Sequence, residues 1–230
     1  MIKRLLYCLC AVLSASYVQA QDFQFGVRLG ANYASVWNAK EATVGSVLGP
    51  QAGLISNVKL NSRQTIQAEV LYSGKGFTQT VTRKSSGTTT VTDYSTRLNY
   101  LELPVMYQHF FSKSKHSRYY DRVKPNGFFV TGGPQISALV GASTTAKQTV
   151  TTTETENSSK ESVGMSQYVN NFDVSLVAGA GYRFTNSTTV SVRYAAGLRK
   201  IADVSNPVLP ATARNSALQV SVAYLLPHTF

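Results

Sequence analysis

Period-two alternation runs through this chain from Phe23 onward and limits its fold more than any other feature. From Phe172 to Phe184 the even positions are Phe172, Val174, Leu176, Ala178, Ala180, Tyr182 and Phe184. The odd positions are Asp173, Ser175, Val177, Gly179, Gly181 and Arg183. Val190, Val192, Tyr194, Ala196 and Leu198 repeat the pattern, and so do Leu218, Val220, Val222, Tyr224 and Leu226. Near the start, Phe23, Phe25, Val27, Leu29, Ala31 and Tyr33 alternate with Gln24, Gly26, Arg28, Gly30 and Asn32. Successive side chains of a strand point to opposite faces, so each run is a strand with one apolar and one polar or small face. Similar runs cover 52–59, 66–73, 97–111 and 128–140. In the last of these Gly132, Gly133 and Pro134 predict a bulge or bend. The total is about eight strands, each near the ~9–11 residues that cross a bilayer when tilted.

The first twenty residues follow another rule. Lys3 and Arg4 precede an apolar run from Leu5 to Leu13, and Val18-Gln19-Ala20 is a small-residue cleavage site. This is the pattern of a secretory signal peptide, and the apolar run is too short to span a membrane. The expected organisation is a cleaved signal peptide at 1–20 and one domain at 21–230. Both cysteines, Cys8 and Cys10, fall in the cleaved part. A lipid-modified Cys is the rival reading, but Leu5-Leu6-Tyr7 before Cys8 lacks the small residues expected there. The exported part therefore has no thiol chemistry, Cys-bound metal or disulfide framework.

Past the leader, no stretch approaches the ~20 apolar residues of a membrane helix. A chain that crosses a membrane without helices must do so as a closed barrel. Only 14% of residues are charged and the mean hydropathy is −0.09, which suits neither a soluble helical protein nor a helical membrane protein. The formal charge of +11 falls to +9 without Lys3 and Arg4. For an exported protein this favours an anionic membrane surface over nucleic acid.

A soluble β-fold with its apolar face inward is the alternative. Three features oppose it. Glycines and small residues share the polar face, as a crowded lumen requires. Aromatics mark the ends of the apolar face, like interfacial girdles, and connections alternate in length, as in outer-membrane barrels. Asn61-Ser62 and 185–187 are tight turns, while 37–48, 78–95, 142–170 and 200–213 are long. Thr78 to Asp93 mirrors itself around Ser85-Ser86-Gly87, so two strands are expected to extend beyond the membrane, and 143–162 can do the same or stay disordered. The connection 112–126 is long and basic where a short turn is expected. The chain ends on Phe230, in phase with the last apolar set. A terminal aromatic resembles the signal read by outer-membrane assembly machinery, although Pro227 and His228 interrupt it.

Few residues carry a pattern for chemistry. Arg28, Glu69, Glu102 and Arg193 fall on the polar face at similar depth, and unpaired buried charges are costly, so the four are expected to pair inside the barrel. An eight-stranded lumen is about filled by side chains, so these charges read as packing rather than as a transport path. Two carboxylates with Arg neighbours and no cleft do not make a glycosidase. His109, His116 and His228 are scattered, with no metal-ligand spacing. No Gly-x-Ser-x-Gly or phosphate-binding loop is present. No catalytic, cofactor-binding or metal residue is assigned. The basic stretch Lys113 to Lys124 solvates a turn near anionic headgroups or docks a periplasmic protein.

Five segments carry a family resemblance: FGVRLGANYASV at 25–36, EVLYSGKGF at 69–77, YLELPVMYQ at 100–108, VAGAGYRF at 177–184 and SVRYAAGLRKIAD at 191–203. Their order and spacing resemble the outer-membrane β-barrel proteins that include the PorT-like proteins of Bacteroidetes-type bacteria. The resemblance implies an all-β, antiparallel, up-and-down barrel of about eight strands, integral to the outer membrane. Some members serve protein secretion. The expected function is a non-enzymatic barrel with a side-chain-filled lumen, structural or acting in surface recognition through its Thr/Ser-rich outer loops. A part in a secretion or assembly machine and, below it, a small-solute channel are the alternatives. The expected partners are outer-membrane lipid, the assembly machinery and a periplasmic protein at Lys113 to Lys124.

Overall fold

The computed structural model describes residues 23–37, 43–85, 88–112, 125–152, 155–164, 169–185, 187–202 and 212–226. The expected signal peptide at 1–20, the stretch Lys113 to Lys124 and Phe230 lie outside them. Nine strands occupy the described chain: β1 Phe23–Trp37, β2 Thr43–Lys59, β3 Gln64–Ser85, β4 Thr88–Phe110, β5 Gly127–Thr152, β6 Thr155–Gly164, β7 Phe172–Arg183, β8 Thr188–Lys200 and β9 Arg214–Leu225.

Every pairing is antiparallel. Around the ring β1 pairs with β2, β2 with β3, β3 with β4, β4 with β5, β5 with β7, β7 with β8 and β8 with β9. The ring closes where β1 returns to β9 through twelve register pairs, from Gly26↔Leu225 to Trp37↔Arg214. Eight strands therefore make the barrel. The ninth, β6, pairs only with the outer half of β5, from Ser143↔Gly164 to Thr152↔Thr155.

The apolar face of the barrel points outward. Along β1, Phe25, Val27, Leu29 and Tyr33 are exposed while Gln24, Arg28 and Asn32 are buried. Leu29 is 65% exposed and Arg28 only 1%. The other barrel strands repeat this inversion, which excludes the soluble alternative, because so large an apolar surface is stable only against lipid. At the end carrying the short turns, Phe128, Tyr182 and Phe184 stack edge to face, with centroids 6.3 and 4.9 Å apart. At the other end Tyr194 and Tyr33 both register with Leu218. From Phe25 to Tyr33 the strand runs about 27 Å at roughly 3.4 Å per residue, or about 21 Å of height at a tilt of about 40°, most of an apolar band about 25 Å tall.

Beyond the outer girdle three strands continue. β3 and β4 stay paired from Phe77↔Thr96 to Ser85↔Thr88, as the mirrored Thr-rich arms predicted. β5 pairs with β4 as far as Thr89↔Thr151 and carries β6 on its far side. The 143–162 region is therefore a second hairpin. Together with Thr43–Ser46 of β2 these arms form one sheet standing above the rim.

The bulge lies elsewhere than expected. Gly132, Gly133 and Pro134 run through β5 without a change of register against β4 or β7. The register shifts higher up, where Tyr100 faces Leu139 but Asn99 faces Gly141, leaving Val140 without an opposite residue. A one-residue bulge reverses which positions face inward. Gln135 and Ser137 are buried below it, and Ala142 and Thr144 above it.

Leu29 sits midway between the girdles on the lipid face. Leu29→Arg is expected to destabilise the folded barrel by about 2–4 kcal/mol, as cations do at a bilayer midplane. Denaturant unfolding in vesicles measures this, and an unchanged midpoint would mean that this face does not meet lipid.

Candidate functional site

The polar face of the ring fills the lumen with side chains in layers. In the middle layer, Glu69 on β3 sits between two arginines. Arg28 Nη2 lies 3.2 Å and Arg193 Nη1 2.8 Å from Glu69 Oε1. Gln67 Nε2 donates to the same oxygen. Arg28 Nη1 donates to Ser221 Oγ at 2.6 Å and to Ser191 Oγ at 3.1 Å, so the guanidinium is tied to three strands besides its own. The strands make room for these long side chains with glycine. Gly53 stands across from Arg28 and Gly179 across from Arg193. A Cβ at Gly179 would lie 2.9 Å from Arg193 Cγ, too close for the arginine stem to keep its place.

A polar chain runs from this trio toward the short-turn end. Gln108 Nε2 donates to Gln67 Oε1 at 2.6 Å, and Arg183 Nη2 donates to Gln108 Oε1 at 2.9 Å. Arg183 has no carboxylate partner among the described residues. It lies over the Phe110 ring at 4.7 Å and the Phe129 ring at 6.0 Å, where the negative ring faces supply part of the missing countercharge. The two rings, with centroids 5.1 Å apart and fully buried, close this end of the lumen.

Toward the outer end, Lys75 Nζ lies 2.5 Å from Glu102 Oε1. Above this pair Asn215 Nδ2 donates to Asp173 Oδ2 at 2.8 Å and to the Tyr100 hydroxyl at 3.2 Å. An apolar cap follows, in which Val36, Phe77, Leu98 and Ala142 of the walls pack against Val169, Ile201, Ala202 and Ala213 of the outer connections. Backbone bonds hold those connections in place, Asn170 N donating to Ile201 O at 2.7 Å and Ile201 N to Ala213 O at 2.9 Å. Among the described residues, aromatic rings thus pack into the lumen at one end and an apolar cluster at the other.

The four charges picked from sequence do not form one cluster. Arg28, Glu69 and Arg193 meet, but Glu102 pairs with Lys75 instead. The register explains the split. Glu102 faces Leu71, and the fully buried Leu71 side chain takes the next inward position of β3 above Glu69. Lys75, Asp173 and Arg183 are the buried charges not assigned from sequence. Lys75 was legible: the inward parity of Glu69, Leu71 and Ser73 reaches it two residues on.

The sequence matches the family described as outer membrane protein beta-barrel domain over residues 19–203. The chain belongs to that family. As an outer membrane protein beta-barrel it resides in the bacterial outer membrane. Its fold is similar to that of Ail, the attachment invasion locus protein of Yersinia pestis, at 7% identity and a TM-score of 0.42, covering 88% of this chain and 98% of that one. The Neisserial surface protein A gives 14% and 0.40 over 87% and 96%, and OprG of Pseudomonas aeruginosa 10% and 0.34 over 89% and 96%. No curated protein matches this chain.

Removing one member of a buried ion pair strands the other, which costs about 3–5 kcal/mol, whereas replacing both with apolar groups is often neutral. Glu102→Leu alone is expected to lower the unfolding midpoint in detergent, and the double variant Lys75→Met with Glu102→Leu to recover most of the loss. A double variant no more stable than the single one would refute the pairing. Glu69→Leu, which strands two arginines, is expected to be at least as costly as Glu102→Leu.

Proposed function

We propose that this protein is a non-enzymatic surface-recognition barrel whose working part is the sheet above its outer rim. The observation that carries this reading is the contrast between the two halves of the molecule. The lumen is occupied by paired charges and closed by Phe110 and Phe129 at one end and by the cluster around Phe77 and Leu98 at the other. That filling argues against a path for a solute. The long hairpins, by contrast, are rich in hydroxyl side chains and stand in continuous register with the barrel wall. A flexible loop would lose conformational entropy on binding a partner, and a strand-paired arm has already lost most of it.

The motif resemblance favours a further role in a secretion or assembly machine. That role would use Lys113 to Lys124 as a docking face for a periplasmic protein, while insertion would use the C-terminal segment that ends on Phe230. It requires a co-purifying periplasmic partner that is lost when those lysines are neutralised.

The recognition reading is tested by replacing residues 80–93 with Asn-Gly, a two-residue turn of the kind that closes hairpins. The shortened chain is expected to insert and to show the same heat-modifiable migration as the full one. Adhesion of cells expressing it to glycoprotein-coated surfaces is expected to fall about tenfold relative to cells with the full chain. Equal adhesion by the two would refute the reading. In planar bilayers the full chain is expected to be silent, and discrete conductance steps would refute the filled lumen.

A further inference from the structure

The sheet above the rim is curved, and the face that continues the lumen face encloses a cavity of about 660 Å³. Its floor carries Arg83 of β3, Thr90, Thr92 and Tyr94 of β4, Gln148 of β5 and Glu161 of β6. We propose that this cavity is a binding site for a neutral saccharide chain. The inference rests on the surface-recognition reading and names the ligand class.

Three observations lead there. The first is height. Tyr33 of the outer girdle pairs with Leu48, Ser46 two residues farther out pairs with Phe77, and Arg83 is six residues beyond Phe77 along β3. At roughly 3.3 Å per residue that is about 20 Å of strand, and a tilt of about 40° still leaves close to 15 Å. The headgroup zone is only about 5–8 Å deep on each side, so the cavity stands clear of lipid.

The second is charge. Arg83 and Glu161 place one cation and one carboxylate in the same cavity, and its other lining residues are uncharged. A site of balanced sign does not attract a polyanion or a basic peptide. It suits a ligand whose groups both donate and accept. Each sugar hydroxyl does both, and here it would meet a guanidinium fork, a carboxylate, an amide and several side-chain hydroxyls. Tyr94 adds one ring face for the apolar C–H side of a pyranose. The opposite face of the same sheet differs. There Lys84, Lys147 and Lys160 share the surface with Asp93, which accepts from Thr80 at 2.6 Å.

The third is preorganisation. The volume lies within the 300–1,000 Å³ of ordinary ligand sites. Three of the four strands that line it belong to the barrel wall, and β-branched threonines with few rotamers supply much of its floor. Little ordering remains to be done on binding.

The experiment uses the full chain, folded in detergent and checked by its heat-modifiable migration. It is applied to an array of neutral, sulfated and carboxylated oligosaccharides and, separately, to the neutral polysaccharide extracted from the producing cells. Binding to neutral saccharides is expected, weakened at least tenfold by Tyr94→Ala, Arg83→Ala or Glu161→Gln and unchanged by Lys147→Ala on the opposite face. Which of the two arms binds tells a foreign glycan from the cell's own, and either supports the site. Binding confined to sulfated or carboxylated glycans and lost with Lys84, Lys147 and Lys160 would overturn the cavity assignment while leaving surface recognition intact. Binding to no saccharide, with the 80–93 replacement still lowering adhesion, would overturn the ligand class alone. An unaltered adhesion of that replacement would remove the recognition reading beneath it.

Discussion

The return of β1 to β9 is the contact on which the rest of the structure depends. In hydrocarbon no water is present to satisfy a strand's N–H and C=O groups, so a sheet with open edges cannot stay there. Twelve register pairs close the ring and remove both edges at once. Closure with eight strands fixes the diameter, and at that diameter the interior holds side chains and little else. The consequences follow in order. Each inward position must be filled, each charge placed there must be partnered within reach, and a binding function has to move to where the strands leave the membrane.

The lumen charges are best understood as a solution to filling rather than to chemistry. Arginine is long enough to cross a narrow barrel, and its five donors can be shared among several strands. Arg28 does this, reaching Glu69 on β3, Ser191 on β8 and Ser221 on β9 from its own place on β1. An apolar side chain of equal length would pack as well but would not register one strand against another. Four cations face three carboxylates among the buried described residues, and the surplus one, Arg183, sits against two aromatic faces and the Gln108 amide. Burial without a carboxylate is tolerable there because the guanidinium spreads its charge over a plane that stacks on rings.

The wall of the barrel was legible in the sequence because period two is a local signal. Phe25, Leu29 and Val220 can be placed outward and Arg28 and Gln219 inward from parity alone, and the tight turns at 61–62 and 185–187 set the order of the strands. What parity does not carry is height across the barrel. Arg28, Glu69 and Glu102 share a face in sequence, but whether they touch depends on the stagger between neighbouring strands. The stagger is decided by turn lengths and by irregularities such as Val140, which no residue type announces. Gly132, Gly133 and Pro134 looked like the bulge, but the register runs through them unshifted. Gly133 approaches the β4 backbone closely, and Pro134 keeps its register against Leu176 of β7. The cap was missed for another reason. Val169, Ile201, Ala202 and Ala213 lie in connections without periodicity, so nothing local marks them as core.

The outer sheet poses a problem that the barrel wall does not have. β6 ends it, and an unpaired strand edge in water invites the edge of another chain. Ser158, Lys160 and Ser162 point from β6 to one side of the sheet, and Ser159 and Glu161 point to the other, so over 158–162 that edge offers charge and hydroxyls. This composition discourages edge-to-edge aggregation and keeps the broad faces free. The Val140 bulge contributes to the same end. By reversing parity as β5 leaves the membrane, it continues the inward face upward through Ala142 and Thr144 against Leu98 and Thr96, whose hydroxyl lies 2.9 Å from that of Thr144. Without that extra residue the inward and outward sets of β5 would exchange places above the rim. The apolar cap would then lose Ala142, and Gln148 would leave the concave face. One inserted residue in one strand thus lets a lipid-facing wall and a water-facing sheet share the same backbone.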